Sequence, residues 1–155
     1  MAEPAPAVSG FDLAAAERAL AEVFAPWVMD LNIAVEAVET TPPAHGSRDW
    51  LPGVTLRMPY SERLRHIGGI VCGQSLMAFA DTAMVLAIMA ACGGSRSMAT
   101  IDQTSHFMRG IANADVLADA RVVRSGRTMS FGRVTLSSAA DGKPVAMVSS
   151  AFVML

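Results

Sequence analysis

The most apolar stretch of the chain has a carboxylate inside it. In SLMAFADTAMVLAIMAAC, Ser75 to Cys92, Asp81 is the one charge among eighteen residues. A carboxylate in such surroundings is either tied to neighbouring N–H and hydroxyl groups or kept for a chemical task, because charges are rarely buried without a partner. The residue after it, Thr82, can donate to a reacting water or bond back to the carbonyl four residues earlier. Just upstream lies SERLRHIGGIVCGQ, a glycine-punctuated stretch without periodicity, and loops of this kind often carry chemistry. It holds His66, a ring that titrates near neutrality, and Cys72, a thiol at the expected helix start, where the helix dipole lowers a thiol pKa. The alternative for Cys72 is an unreactive buried thiol. Further on, Gln103 and Thr104 are candidates to line a pocket. Arg109, Arg124 and Arg127 fall at a strand end and a hairpin, where forked guanidinium donors suit phosphate. Solvated surface arginines fit the same positions. His45 and His106 lack metal-ligand spacing to another His, Cys or Asp, so no metal is implied.

These residues need elements to position them. Eighteen apolar residues raise the question of a membrane span, but an interior Asp costs roughly 2.5–3.5 kcal/mol there and no basic cluster flanks the run. The remaining way to satisfy a helix that is apolar all round is burial in protein on nearly every side. Ala, Leu and Met favour helix, and Gly93-Gly94 should stop it. Met77, Met84 and Met89 read as adaptable core filler, or as a soft wall for an acyl chain.

Upstream, Phe11 to Phe24 carries apolar residues at Phe11, Leu13, Leu20, Val23 and Phe24, a short amphipathic helix ending before Pro26. From Trp27, WVMDLNIAVEAVE alternates Leu31, Ile33 and Val35 against Asn32, Ala34 and Glu36, the period of a half-buried strand. TPPAHGSRDW is a loop, and GVTLRMPY a second strand. After Gly94 four strands are expected, over Ser97–Gly110, Ala114–Gly126, Arg127–Gly142 and Lys143–Leu155. Alternation shows in Val116, Ala118, Ala120 and Val122, and again in Val145, Met147, Ser149, Ala151 and Val153. RSGRT and AADGKP are hairpin turns, the second with an Asp-Gly pair. The order is helix, two strands, long buried helix, then a four-strand antiparallel meander. The fold class is α+β, one sheet curling around one apolar helix.

The chain has 155 residues, 52% of them apolar and 17% charged, enough for one domain with one core. A net charge of −2 provides no pull towards nucleic acid or anionic lipid, so neither nucleic acid nor membrane is expected as a partner. Cys72 and Cys92 sit at opposite ends of the helical run, too far apart for a disulfide. MAEPAPAVSG has neither the basic nor the apolar region of a secretory signal. Residues 1–10 are expected as a flexible tail, 11–155 as a single domain, and the cytoplasm as the compartment.

GGIVCGQSLMAFADTAMVLA, ATIDQTSHFMRG, a Gly-Arg-Thr hairpin and a final DGKPVAMVSSAFVM strand together resemble the hotdog-fold acyl-CoA thioesterases of the phenylacetate-pathway (PaaI-like) type, from about residue 30 to the C-terminus. That family's loop reads Asn-x-x-Gly-x-x-His-Gly-Gly, with an Asp in Ala-Asp-Thr-Ala after six intervening residues. Counting back from Asp81 puts His66 on the Asn, Gly69 on the first Gly, and Cys72, Gly73 and Gln74 on the triplet. The spacing holds; the Asn, the His and the last Gly are replaced.

The resemblance implies a hotdog fold and thioester hydrolysis to a free acid and coenzyme A without a cofactor. It implies that the Gly73 N–H polarises the thioester carbonyl, helped by the partial charge of the helix N-terminus. Asp81, contributed by the other subunit's helix, would then serve as nucleophile or as general base for water. His66 would orient water or the carbonyl, while Gln74 would either narrow the acyl pocket or bond across the dimer. The arginines would meet the nucleotide end of coenzyme A. A homodimer or homotetramer is expected. Two other readings stay open, a hotdog hydratase or dehydratase with His66 as its histidine, and a non-catalytic acyl-CoA binding module.

Overall fold

The computed structural model describes residues 10–155; the expected tail, apart from Gly10, lies outside the described residues. A six-stranded antiparallel sheet wraps one central helix. The elements are α1 (Leu13–Glu22), β1 (Ala34–Glu39), β2 (Gly53–Met58), α2 (Gly73–Cys92), β3 (Met98–Phe107), β4 (Val116–Ser125), β5 (Met129–Ser138) and β6 (Pro144–Met154). Strand order across the sheet is β1-β2-β4-β5-β6-β3.

Helix α2 is apolar all round because it is enclosed. Thirteen of its twenty residues are buried, and Phe79, Ala80, Ala83, Met84, Leu86, Ala87 and Ile88 have no exposed surface. It is long and apolar enough to cross a membrane, yet its surroundings are the concave face of the sheet. Met84 rests on Gly132 of β5, where a Cβ would come within 2.2 Å of the Met84 sulfur. Gly132→Ala would therefore force the buried Met84 side chain to repack, at about 1–3 kcal/mol. Gly93 ends the helix in the left-handed region, at φ +75°, and the N–H of Gly94 returns to Met89 O at 3.0 Å, the expected stop. Met84 and Met89 are core, but Met77 is 43% exposed.

Three expectations are corrected. Residues Pro26–Leu31 form a 3-10 helix rather than the start of a strand, with Pro26 in its first turn and Asn32 closing it at φ 51°. Val28 and Leu31 are buried by a spacing of three, which the alternation of Leu31 and Ile33 concealed. The last four strands are not a meander. Strand β3 leaves α2, crosses to the far edge and pairs with β6; within these four strands, β4–β5 and β5–β6 have hairpin connections and β3–β4 does not. In β6 the inward set is Ala146, Val148, Ser150, Phe152 and Met154, with Met147, Ser149, Ala151 and Val153 on the other face. Val145 is also buried. The inward set of β4, Val116, Ala118, Ala120 and Val122, is as expected.

Strand β3 is an open edge, with no residue fully buried. A bulge interrupts it: Thr100 pairs with Phe152 and Asp102 with Ala151, leaving Ile101 as the extra residue. The bulge switches parity, so Thr100 before it and Gln103, Ser105 and Phe107 after it all share the face of the buried β6 residues Phe152, Ser150, Val148 and Ala146.

Candidate active site at the start of α2

The loop before α2 is short and tied on both sides. Arg65 bridges to Val71, the His66 N–H donates to Ile70 O at 3.0 Å, and the Gly69 N–H donates to His66 O at 2.8 Å. Gly69 sits at φ +85°, so a side chain there would be strained. The Cys72 N–H donates to Leu64 O at 2.7 Å and the Val71 N–H to Ile111 O at 2.9 Å. Behind the loop, Asp115 accepts from the Tyr60 N–H at 2.7 Å and from Arg57 at 3.1 Å. Chiefly the Tyr60 N–H, with help from Arg57, holds the Asp115 carboxyl below its ordinary value.

This loop delivers the chain to Gly73, the first residue of α2, with Cys72 as the cap. The Gly73 N–H has no carbonyl within the helix to bond, and no other partner for it occurs among the described residues. A cavity of about 260 Å³ opens there, lined by His66, Ile70, Gly73, Leu76, Phe107 and Arg109 together with Val71, Gly110 and Ile111. The Phe107 ring closes over Gly73, 3.3 Å from where a Cβ would stand. His66, Gly73 and Arg109 therefore share one cleft, with Gly69 in its rim loop. The helix N-terminus gives the cleft a partial positive charge suited to an oxyanion.

Each remaining site residue has a definite place. The exposed His66 ring accepts the Gly68 N–H at Nδ1, 2.8 Å away, leaving Nε2 free. Cys72 is half-buried, its thiol 3.4 Å from Ser75 Oγ, while that hydroxyl donates to Cys72 O at 2.8 Å. Gln74 is exposed in the first turn. Arg109 is paired with Asp141 at 3.3 Å and with Lys143 O at 3.2 Å.

Asp81 lies eight residues after Gly73 on the same helix, about 12 Å along its axis. Within one chain the two do not meet. Asp81 is half-buried, and Thr100 Oγ1 donates to its Oδ1 at 2.9 Å. Burial pushes the Asp81 carboxyl above its ordinary value, and the Thr100 hydrogen bond opposes that rise without cancelling it. Gln74, Met77, Ala78 and Asp81 form the least buried stripe of the helix up to its last turn, at the spacing of one helical face. This stripe adjoins the open edge strand, since Gln103 Nε2 donates to Met77 O at 3.1 Å and Thr100 holds Asp81.

Other candidates lie elsewhere. Thr82 is 2% exposed and its hydroxyl is spent on Ala78 O at 2.9 Å, so it packs in the core. Thr104 takes the outer face of β3, next to Asp102. Arg124 and Arg127 occupy the β4–β5 hairpin, near the last residue of α2: Cys92 Sγ is 3.4 Å from Ser125 Oγ. Twenty residues of helix separate them from Gly73 by about 30 Å in the same chain. His45 and His106 are exposed and apart, and no cluster of metal-ligating side chains occurs among the described residues. Thr100 and Phe107 are the site residues that the sequence did not single out. The bulge hid the shared face of Thr100 and Gln103, while Phe107 is marked by its approach to Gly73.

Residues 68–145 match the family profile of the thioesterase superfamily. A protein of Halobacterium salinarum that carries an esterase name is 36% identical over 91 residues, 56% of this chain, and the chain spans 60% of the length of that curated relative. A protein from a Silicibacter species described as a thioesterase superposes with a TM-score of 0.74 at 27% identity, over 94% of this chain and 92% of that one. Zebrafish thioesterase superfamily member 2 gives 0.75 at 23% identity, over 93% and 99%. The PaaI protein of the Escherichia coli phenylacetic acid degradation operon gives 0.72 at 16% identity, over 92% and 95%. The last two likenesses are of fold.

Proposed function

The chain belongs to the thioesterase superfamily and has its hotdog fold, and on that premise we propose that it hydrolyses acyl-CoA thioesters to a free acid and coenzyme A, as a PaaI-like enzyme acting without a cofactor. The observation that carries this reading is the free Gly73 N–H at the head of α2, opening into a cleft beside an unpaired sheet edge. The thioester carbonyl accepts from the Gly73 N–H, and the helix N-terminus stabilises the oxyanion as the carbonyl carbon becomes tetrahedral. Asp81 of a second copy supplies the attacking oxygen, its own or that of a water it deprotonates. Collapse of the tetrahedral species expels the coenzyme A thiolate; where water attacked, the free acid is left directly, and where Asp81 attacked, water then hydrolyses the acyl-aspartyl anhydride to the acid and restores the carboxylate.

Two copies joined along β3 are what this chemistry requires. An open edge strand is a ready template for pairing, and a twofold arrangement would bring each Gly73 towards the other copy's Asp81 stripe. The working unit is a homodimer, or a homotetramer of two such dimers, in the cytoplasm. Arg109 at the cleft mouth meets the phosphates of coenzyme A, with Arg124 and Arg127 reaching them from another copy.

A thiol-release assay on a panel of acyl-CoAs tests the proposal. Free thiol with equimolar acid is the expected result. An altered acyl group without thiol would instead identify a hydratase or dehydratase, and binding without turnover a sensing module.

A further inference from the structure

The Gly73 N–H belongs to the same peptide unit as the Cys72 carbonyl. A trans peptide is planar, with its N–H directed opposite to its C=O, so whatever holds Cys72 O also aims the Gly73 N–H. Two donors hold it. The Leu76 N–H makes the first helical bond to Cys72 O at 3.3 Å, longer than an N–H···O bond usually is. The Ser75 hydroxyl donates to the same oxygen at 2.8 Å, a favoured length for O–H···O. Ser75 is therefore the firmer restraint.

The restraint falls where the backbone is least held. Upstream, the Val71 and Cys72 N–H groups are pinned to Ile111 O and Leu64 O, and downstream the helical ladder takes over. The Cys72–Gly73 peptide lies between them with no side-chain cap on the helix N–H groups, and Gly73 has no Cβ to limit its rotation. Ser75 and Thr82 are the buried polar side chains of α2, and both hydroxyls bond back to the helix backbone. Thr82 takes Ala78 O, whose peptide N–H lies mid-helix and is spent on a helical bond. Ser75 takes the carbonyl whose peptide N–H is left for a ligand.

The bonds also run in one direction. Cys72 Sγ donates to Ser75 Oγ at 3.4 Å and Ser75 Oγ donates to Cys72 O, while the N–H on the other side of that peptide opens into the cleft. Donors chained in this way polarise one another. A hydroxyl on the carbonyl therefore makes the Gly73 N–H a stronger donor to the negative charge that develops on a thioester oxygen. Cys72 is the outer and lesser member, because S–H is a weak donor. We propose that Ser75 is the positioning residue of the oxyanion donor, aiming and polarising the Gly73 N–H through the Cys72 carbonyl. This rests on the thioesterase reading above and adds the device that readies its site.

Ser75→Ala deletes the hydroxyl and leaves a good helix former in its place. On the full chain, kcat should fall about tenfold, less than the roughly 10²–10³-fold cost of deleting an oxyanion donor outright. KM should stay nearly unchanged, as for an interaction made chiefly in the transition state. Ser75→Thr keeps the hydroxyl and should recover most of the loss. The second readout is the stretching frequency of the thioester carbonyl, labelled with carbon-13 in the acyl-CoA of the panel that calorimetry shows to bind most tightly, and held on Asp81→Asn to slow its turnover. Binding should lower that frequency, and adding Ser75→Ala should shrink the lowering, which a merely structural role would leave alone. Where Ser75→Thr does not fold, the frequency decides. Unchanged kcat in Ser75→Ala, a loss that folded Ser75→Thr does not recover, or a frequency indifferent to the hydroxyl would overturn the proposal. Absence of thiol release from the wild type would sink the hydrolase reading alone. The frequency, read with and without Ser75→Ala, then decides the role of Ser75, upheld by a smaller lowering in the variant and overturned by equal lowering or by no binding of any acyl-CoA.

Discussion

The hydroxyl of Thr100 stands 2.9 Å from Oδ1 of Asp81 and ties the open edge strand to the central helix at its one charged position. The contact leaves Oδ2 of Asp81 for other partners and favours the ionised carboxylate against the burial that disfavours it. In the proposed mechanism Thr100 is a positioning residue.

Asp81→Asn keeps volume and some hydrogen bonding while removing charge and basicity. Turnover should fall at least about 100-fold, as for a primary acid–base or nucleophilic group, with acyl-CoA affinity nearly unchanged. Thermal stability should hold or rise, because a partly buried charge is neutralised. Steady-state kinetics and a melting curve check both; unfolding with full activity per folded molecule would make Asp81 structural.

The pH profile carries a sign. Asp81 must be ionised to act, so kcat falls as pH drops through its raised pKa. Thr100→Val removes the bond that opposes the rise, and the acidic limb should move to higher pH; Thr100→Ser should restore it. Linkage runs the other way. A carboxyl whose folded pKa is raised binds its proton more tightly in the native state, so its contribution to stability is present below the ordinary Asp value and is lost as pH climbs through the raised one. Asp81→Asn should flatten that part of the stability–pH curve.

His66→Ala should lower turnover by on the order of 10–100-fold while the fold survives, a range below that of a primary acid–base group. The Gly68 N–H loses its acceptor at Nδ1, but the Gly69–His66 backbone bond still closes the turn. Circular dichroism with kinetics separates the two effects, and unchanged kinetics would shift the orienting role to Gln74.

Cys72→Ala should retain hydrolysis within a few-fold, since the cap has no side-chain bond to the helix N–H groups and its thiol is hydrogen-bonded to Ser75 Oγ at 3.4 Å. Loss comparable to that of Asp81→Asn would mean thiol chemistry instead.

Much of this arrangement was legible because its signals are local. An apolar run with few β-branched residues, a Gly-Gly stop and an Asp-Gly turn each encode their own geometry, and α2 and the two hairpins followed. What failed depended on partners distant in sequence. The parity of β6 was ambiguous because both of its faces are apolar or small, with Val145, Met147 and Val153 against Ala146, Val148 and Phe152. The crossing of β3 to the far edge has no sequence mark, since pairing with β6 or β4 would bury similar residues. The bulge at Ile101 inverted the face of everything after it, which puts Thr100 on the face of Gln103 and Thr104 on the other. Of the candidate site residues, Asp81 stands out as a charge in an apolar run and His66 as a loop histidine, Gly73 enters through the family resemblance, and Phe107 only through three-dimensional approach.

The central claim is that one active site takes Gly73 from one copy and Asp81 from another, and subunit mixing tests it most directly. Gly73→Pro deletes the N–H at a first helical position, where proline is tolerated, and Cys72 already has the extended conformation that a following proline requires. Gly73→Pro and Asp81→Asn should each be inactive alone. Mixed under exchange, half the dimers carry one intact site of two, so activity should return to about a quarter of wild type. Mixed dimers that form, as mass spectrometry would show, yet remain inactive would contradict the shared site.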